Sequence, residues 1–201
     1  MKALLIIDVQ NDFLPGGSLA VPTADAIVPL INQLQKSDDY HRIVASQDWH
    51  PADHGSFAQN HPGKAPGDQI DLHGLPQILW PTHCVQNTPG ADFSPALDRN
   101  RWHHVTQKGT DPTIDSYSAF FDNGHRKATD LADYLRDQNV THLDLVGVAT
   151  DYCVKFTALD AHQLGFQTTV LTPACRAVNL TPTDETTALA DLKTQGITIS
   201  T

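Results

Sequence analysis

Cationic side chains are scarce in this 201-residue sequence: 13 Lys and Arg stand against 23 Asp and Glu, a formal net charge of -10. Nucleic acids and anionic membrane surfaces are held by basic faces, so neither is expected as a partner. Long apolar runs are missing as well. Nothing approaches the roughly 20 apolar residues that span a bilayer, and the N-terminal run 3–7 is stopped by Asp8, too short for a secretory signal. Three cysteines are too few, and odd in number, for a disulfide framework. A reducing cytoplasm is the expected location. Repeats, low-complexity tracts and charge blocks are absent.

Hydrophobic residues at 40% and charged residues at 18% describe a soluble globular chain able to bury a core. The length predicts a single domain over 1–201. Residues 2–8 (KALLIID) read as a buried strand, aliphatic throughout and too short for a helix. Thr23 is placed to cap a helix over 24–36, with Ile27, Leu30, Ile31 and Leu34 on one face and Pro29 tolerable only near its first turn. A second strand follows at 42–47. The stretch from 48 to about 101 is rich in Pro, Gly, His and Asp with little periodicity, and its aromatics argue for an ordered functional segment. Regular alternation resumes with strands at 103–107, 142–148, 167–171 and 196–199, and helices at 127–138, 153–164 and 183–195. Apolar strands alternating with helices predict a doubly wound, three-layer αβα fold with a mainly parallel sheet of about six strands.

In such sheets ligands bind beyond the carboxyl ends of the strands, near a switch point. Asp8 ends the first strand, Asp48 and His50 follow the second, Lys108 the third, and Cys153 the fourth after a short loop. Cys153 stands where a strand gives way to a helix, and a helix N-terminus favours thiolate. Asp8, Lys108 and Cys153 make a catalytic set: the carboxylate takes the thiol proton and returns it to a leaving amine, while the ammonium keeps Asp8 ionised. The structural alternative is an Asp8–Lys108 ion pair beside a small buried thiol. Cys84 and Cys175 are read as buried thiols without a base.

A second cluster is Asp48-Trp49-His50, with His83 in WPTHCVQ. Residues two apart in an extended segment point the same way, so Asp48 and His50 can converge on one ion with His83 brought in by the loop. One carboxylate and two imidazoles suit Zn²⁺, Fe²⁺ or Mn²⁺ and leave positions open. His54 is left as either a further ligand or a partner of one. The remaining histidines are expected to have no chemical role.

The strings LLIIDVQNDF, ASQDWHPADHGSF, LWPTHCVQ, Lys108-Gly109, DSYSAF and VGVATDYCVKFTALDA, in this order, resemble the nicotinamidases of the cysteine hydrolase superfamily that includes isochorismatases. The resemblance runs from Lys2 to beyond Asn179. It implies hydrolysis of nicotinamide to nicotinic acid and ammonia through a cysteine thioester, in NAD salvage, with pyrazinamide as a further substrate. By the same resemblance Cys153 is the nucleophile, Asp8 the proton shuttle and Lys108 the third catalytic member. Asp48, His50 and His83 are the ligands of one divalent ion, Zn²⁺ foremost, with Fe²⁺ or Mn²⁺ as alternatives. A cis peptide between Val148 and Ala149 and an oxyanion hole from the Ala149 and Cys153 amides are also implied, with Phe13, Trp80 and Tyr117 walling the substrate. Isochorismatases share the fold but lack the Asp-x-His and the later His. A related amidase or carbamoyl hydrolase is the alternative activity.

Overall fold

Ala3, Leu5 and Ile7 face one side of the first strand and Leu4 and Ile6 the other, and all five are fully buried. A strand with two apolar faces must be covered twice, which places it inside a parallel sheet between two layers. The computed structural model, which describes residues 1–201, shows this arrangement. The strands are β1 (Lys2–Ile7), β2 (Arg42–Asp48), β5 (His104–Lys108), β6 (His142–Val148), β7 (Gln167–Arg176) and β8 (Thr198–Ser200), with β3 (Gln69–Leu72) and β4 (Leu75–Ile78) forming a separate antiparallel hairpin. The main sheet runs β5-β2-β1-β6-β7-β8 with every pairing parallel. From β1 the chain first builds outward through β2 to β5, then fills the other side with β6, β7 and β8. The winding therefore reverses between β1 and β6, and the crevice beyond their carboxyl ends is where a ligand fits.

Four helices cover the sheet: α1 (Val28–Leu34), α2 (Leu131–Asp137), α3 (Lys155–Gln163) and α4 (Asp184–Thr194). Leu131 and Leu135 of α2, Ala158 of α3 and Leu192 of α4 pack with Leu5 and Leu145 in one core. On the opposite face Val28 and Ile31 of α1 join Leu4, Ile6 and the loop residues Phe13 and Phe93. No helix is long and apolar enough to cross a membrane.

Local chemistry explains where elements differ from their sequence-based bounds. Thr23 does not cap a helix: its φ is 54°, it makes no side-chain cap, and its hydroxyl accepts from Arg176 Nε at 3.2 Å. The helix expected over 24–36 is a 3₁₀ turn over Ala24–Ile27 followed by α1, with Pro29 in the first turn where its missing N–H costs nothing. The helix expected from 127 starts at Leu131, because Asp122 draws the Lys127 amide to its carboxylate at 2.8 Å. β7 runs five residues beyond its expected end at Leu171, with a register shift against β6 between Leu145 and Gly147. The β3–β4 hairpin carries no Asn-Gly signal; His73 and Gly74 make its turn, at φ 51° and 88°.

Gly147 sits inside that register shift at φ 120°, and a Cβ there would lie 2.1 Å from the Ile7 carbonyl oxygen. Only glycine lets β6 approach β1 this closely, one residue before Asp8. The peptide between Val148 and Ala149 is cis.

Candidate active site

Lys108 ends β5 with its ammonium fully buried, a placement that needs strong partners. Its three protons go to Asp48 Oδ1, to the Ser116 carbonyl at 2.9 Å and to Cys153 Sγ at 3.4 Å. Asp8 Oδ2 lies 3.0 Å from the same nitrogen, yet it has no hydrogen-bond donor. Asp8 Oδ1 accepts from Ser46 Oγ at 2.7 Å. One oxygen of Asp8 is thus anchored and the other is ionically held but free to receive a proton. Asp8, Asp48 and Cys153 each place one ligand-type atom within 4.8 Å of the other two.

The electrostatics follow from two carboxylates and one ammonium out of water. Burial acts against the Lys108 charge, but Asp48 and Asp8 outweigh it and hold the ammonium well above the usual lysine range. Burial likewise opposes ionisation of Asp48, where Lys108 and then His50 win and keep the carboxyl well below the ordinary range. At Asp8 burial wins: aided by Asp48 and opposed by Lys108, it raises the carboxyl pKa. Burial also pushes the Cys153 thiol well up, against Lys108 and with help from Asp8 and Asp48.

That last result bears on the expectation that a helix N-terminus favours the thiolate. Cys153 does stand at the N-terminal end of the helical segment after β6, in a π-helical turn, Thr150–Val154, that runs directly into α3. Burial works against the thiolate that a helix end favours, and this gives a neighbouring base a part to play.

Asp48 carries the second cluster. His50 Nε2 lies 3.4 Å and His83 Nε2 3.7 Å from Asp48 Oδ2. Each ring turns its other nitrogen to a backbone carbonyl: His50 Nδ1 to Gly109 at 2.8 Å, His83 Nδ1 to Pro81 at 2.7 Å. A carbonyl accepts only, so Nδ1 is the protonated nitrogen of each neutral ring, and Nε2 is the atom each ring can offer to an ion beside Asp48. With Zn–N and Zn–O bonds of about 2.1 Å, ligand atoms around an ion stand about 3.0–3.4 Å apart, which this set approaches. The residues fit a divalent cation, and all three are buried. Gly109 permits the His50 position, because a Cβ there would come within 2.3 Å of the ring.

Phe13, Trp80 and Tyr117 line the cavity over Cys153, with Asp48, His83 and Ala149 at its polar side. Leu19, Tyr152 and Val178 complete the wall. Trp80 meets Tyr152 edge-on at 4.9 Å, and its Nε1 donates to the Tyr117 hydroxyl at 3.3 Å. The cavity is narrow, about 30 Å³, and its aromatic walls offer faces and edges to a flat ring. A larger groove of about 750 Å³ runs along the exposed face of β5, but Asp8 and Cys153 are not among its walls.

All the catalytic and metal-ligating candidates named from the sequence therefore converge. Sequence reasoning missed the residues that hold them. Ser46 precedes Asp48 by two positions in β2, so a hydroxyl directly after the apolar residues 43–45 carried a period-two signal. Gln10 donates to the Asp48 carbonyl at 2.8 Å and accepts from the Asp48 amide at 2.8 Å. Asp12 accepts from the Cys84 amide at 2.7 Å, and the Cys84 carbonyl accepts from the His50 amide at 3.0 Å. Neither Gln10 nor Asp12 had a periodic signal to find it.

Comparison with known proteins places this geometry. The family model described as Isochorismatase domain matches residues 2–201. A nicotinamidase of Escherichia coli is 50% identical over 204 residues, covering 100% of this chain and 94% of its own. A crystal structure of the yeast nicotinamidase bound to the inhibitor nicotinaldehyde superposes with a TM-score of 0.93 at 34% identity, covering 100% of this chain and 99% of that one. A Pyrococcus horikoshii pyrazinamidase in complex with zinc gives 0.80 at 39%, covering 98% and 97%.

Proposed function

The chain belongs to the isochorismatase domain family, and from that premise we propose that it hydrolyses nicotinamide to nicotinic acid and ammonia through a thioester on Cys153. The observation that carries this is the placing of a buried thiol, a carboxylate oxygen without a donor and an ammonium around one point, beneath an aromatic slot. It is the equipment for amide hydrolysis by a nucleophile that must first be deprotonated. The whole of 1–201 is taken to act as one domain.

Asp8 Oδ2 takes the proton from Cys153 Sγ, while Lys108, already donating to that sulfur, stabilises the thiolate as it forms. The sulfur attacks the carboxamide carbon and the carbonyl π pair moves to oxygen. The Ala149 and Cys153 amides are assigned to that oxyanion. When the C–N bond breaks, Asp8 gives its proton to the leaving nitrogen and ammonia departs, leaving the thioester. A water then enters and Asp8 takes one of its protons. The hydroxide adds to the thioester carbon, and collapse expels the Cys153 thiolate, which recovers the proton from Asp8. Asp8 ends ionised and Cys153 protonated, as they began.

Asp48, His50 and His83 would hold a divalent ion, assigned as Zn²⁺ with Fe²⁺ or Mn²⁺ as substitutes. Bound there it supplies a Lewis-acidic anchor for the pyridine nitrogen, so that Phe13, Trp80 and Tyr117 fix the ring plane and the carboxamide faces Cys153. Pyrazinamide keeps a ring nitrogen and the carboxamide in the same relation and is assigned as a second substrate. Three free, buried cysteines fit a reducing cytoplasm, with a role in salvage of pyridine nucleotides.

Ammonia release from nicotinamide, pyrazinamide and an open-chain ureido compound tests the reading. Turnover of the two ring amides is expected. Turnover confined to the ureido compound would move the protein to the carbamoyl hydrolases of the same superfamily.

A further inference from the structure

Two buried polar residues beside the ion-binding set have no part in the mechanism. His54 is fully buried, and its Nε2 has no hydrogen-bond partner. Asp115 is 4% exposed and lines the same cavity as Asp48 and His83. His50, His54 and Asp115 each bring one ligand-type atom within 4.8 Å of the other two. By proximity alone His54 would be a fourth ligand.

The hydrogen bonds argue otherwise. Ser56 N–H donates to His54 Nδ1 at 3.2 Å, and Ser56 Oγ lies 2.7 Å from the same nitrogen. A backbone amide has only a proton to offer, so Nδ1 is the acceptor and the neutral ring carries its own proton on Nε2. A protonated nitrogen has no lone pair for a metal. His50 and His83 are anchored the opposite way, with Nδ1 on carbonyls and Nε2 unprotonated. Two of the three rings are thus set as ligands and one as a donor.

Asp115 is the matching acceptor. Its Oδ1 takes the Ser116 amide at 2.8 Å and its Oδ2 takes Gln77 Nε2 at 2.9 Å. A carboxylate accepts about four hydrogen bonds, so capacity remains on it. Nothing in the protein satisfies the His54 donor, although it is locked in place by Ser56 and by Asn60 Nδ2, which donates to the His54 carbonyl at 2.9 Å.

We propose that His54 is not a metal ligand but, with Asp115, holds a water molecule on the ion: His54 Nε2–H donates to the water oxygen and the water donates to the Asp115 carboxylate. This rests on the assignment of the ion to Asp48, His50 and His83. One coordination position is thereby reserved for solvent, and the substrate ring takes another. His54 and Asp115 are positioning residues, acting on the ion through that water.

X-ray absorption at the metal edge of the zinc-loaded protein counts the imidazoles directly. Two in the wild type, and two in His54→Gln, are expected; three in the wild type falling to two in the variant overturns the proposal. Chelator competition gives a second readout. His54→Leu should weaken zinc binding about 10-fold and Asp115→Asn by a similar factor, in line with other outer-sphere contacts. His54→Gln, which keeps an N–H donor, should recover most of that loss. Equal losses in the Leu and Gln variants would also count against the proposal. A wild-type protein that takes up no stoichiometric zinc removes the ion assignment itself, and that result is read from metal content before any imidazole is counted.

Discussion

Lys108 Nζ stands 3.0 Å from Asp8 Oδ2 without hydrogen-bonding to it, because its protons already point to Asp48, Ser116 and Cys153. The pair therefore attracts without saturating. A fully hydrogen-bonded carboxylate would be a poor base, and one without a nearby cation would not stay ionised at this depth. Asp8 is held between those limits, close to the sulfur whose proton it takes in the proposed mechanism.

Replacing the sulfur isolates its role. Cys153→Ala should reduce ammonia release from nicotinamide by at least about 10⁴-fold while nicotinamide binding, measured by calorimetry, changes little. Wild-type turnover in this variant would show that the thiol is a bystander and that hydrolysis proceeds by another route.

With Asp8 as the base of the proposed mechanism, its raised carboxyl pKa should set the acid side of the activity profile. Asp8 must be ionised to act, so kcat/KM falls as pH drops through its pKa, and burial places that fall above the ordinary aspartate range. Ser46 pulls the other way, since its hydrogen bond favours the charged form. Ser46→Ala should move the acid limb to higher pH and lower kcat by about 10-fold, the low end of general-base contributions. A profile that stays in place would mean Ser46 serves packing alone.

The sheet and the chemistry-bearing residues were legible because both rest on short-range pattern. Unbroken aliphatic strands mark buried parallel β, and acids, a lysine and a cysteine just past strand ends mark the rim of such a sheet. β6 was read with its observed bounds for that reason. The misses have physical causes too. The hairpin at 69–78 turns on His73 at positive φ, a residue that does not announce such a turn. The upward push on the Cys153 thiol comes from burial by residues far apart in sequence, which no local pattern encodes. Gln10 clasps Asp48 across 38 positions, and only the parallel pairing of β1 with β2 brings them together.

Removing the buried ammonium tests the site as a structural unit. Lys108→Met keeps the chain length but leaves Asp8 and Asp48 facing each other without a cation. Urea denaturation should show a loss of about 3–5 kcal/mol, the usual cost of stranding a buried charge. Adding Asp8→Asn should recover part of it, because one of the two stranded charges is gone. A loss under about 1 kcal/mol, the scale of exposed ion pairs, would show that water reaches these carboxylates.

Gly109 offers a way to disturb the ion set from behind without touching a ligand. It lies at φ 66°, its carbonyl accepts from His50 Nδ1, and a Cβ on it would come within 2.5 Å of that nitrogen. Gly109→Ala cannot relax by a rotamer change, since the added carbon is rigidly attached and the backbone already occupies the left-handed region. His50 must give way, turning its Nε2 off the line shared with Asp48 and His83. Because the clash is local to one ring, the main sheet and Cys153 should persist while zinc affinity falls about 10–100-fold, as when an outer support of a ligand is lost. Chelator competition beside far-ultraviolet circular dichroism separates the two effects. If affinity were unchanged with the fold intact, His50 would not be a ligand, and the ion would have to be reassigned to other residues.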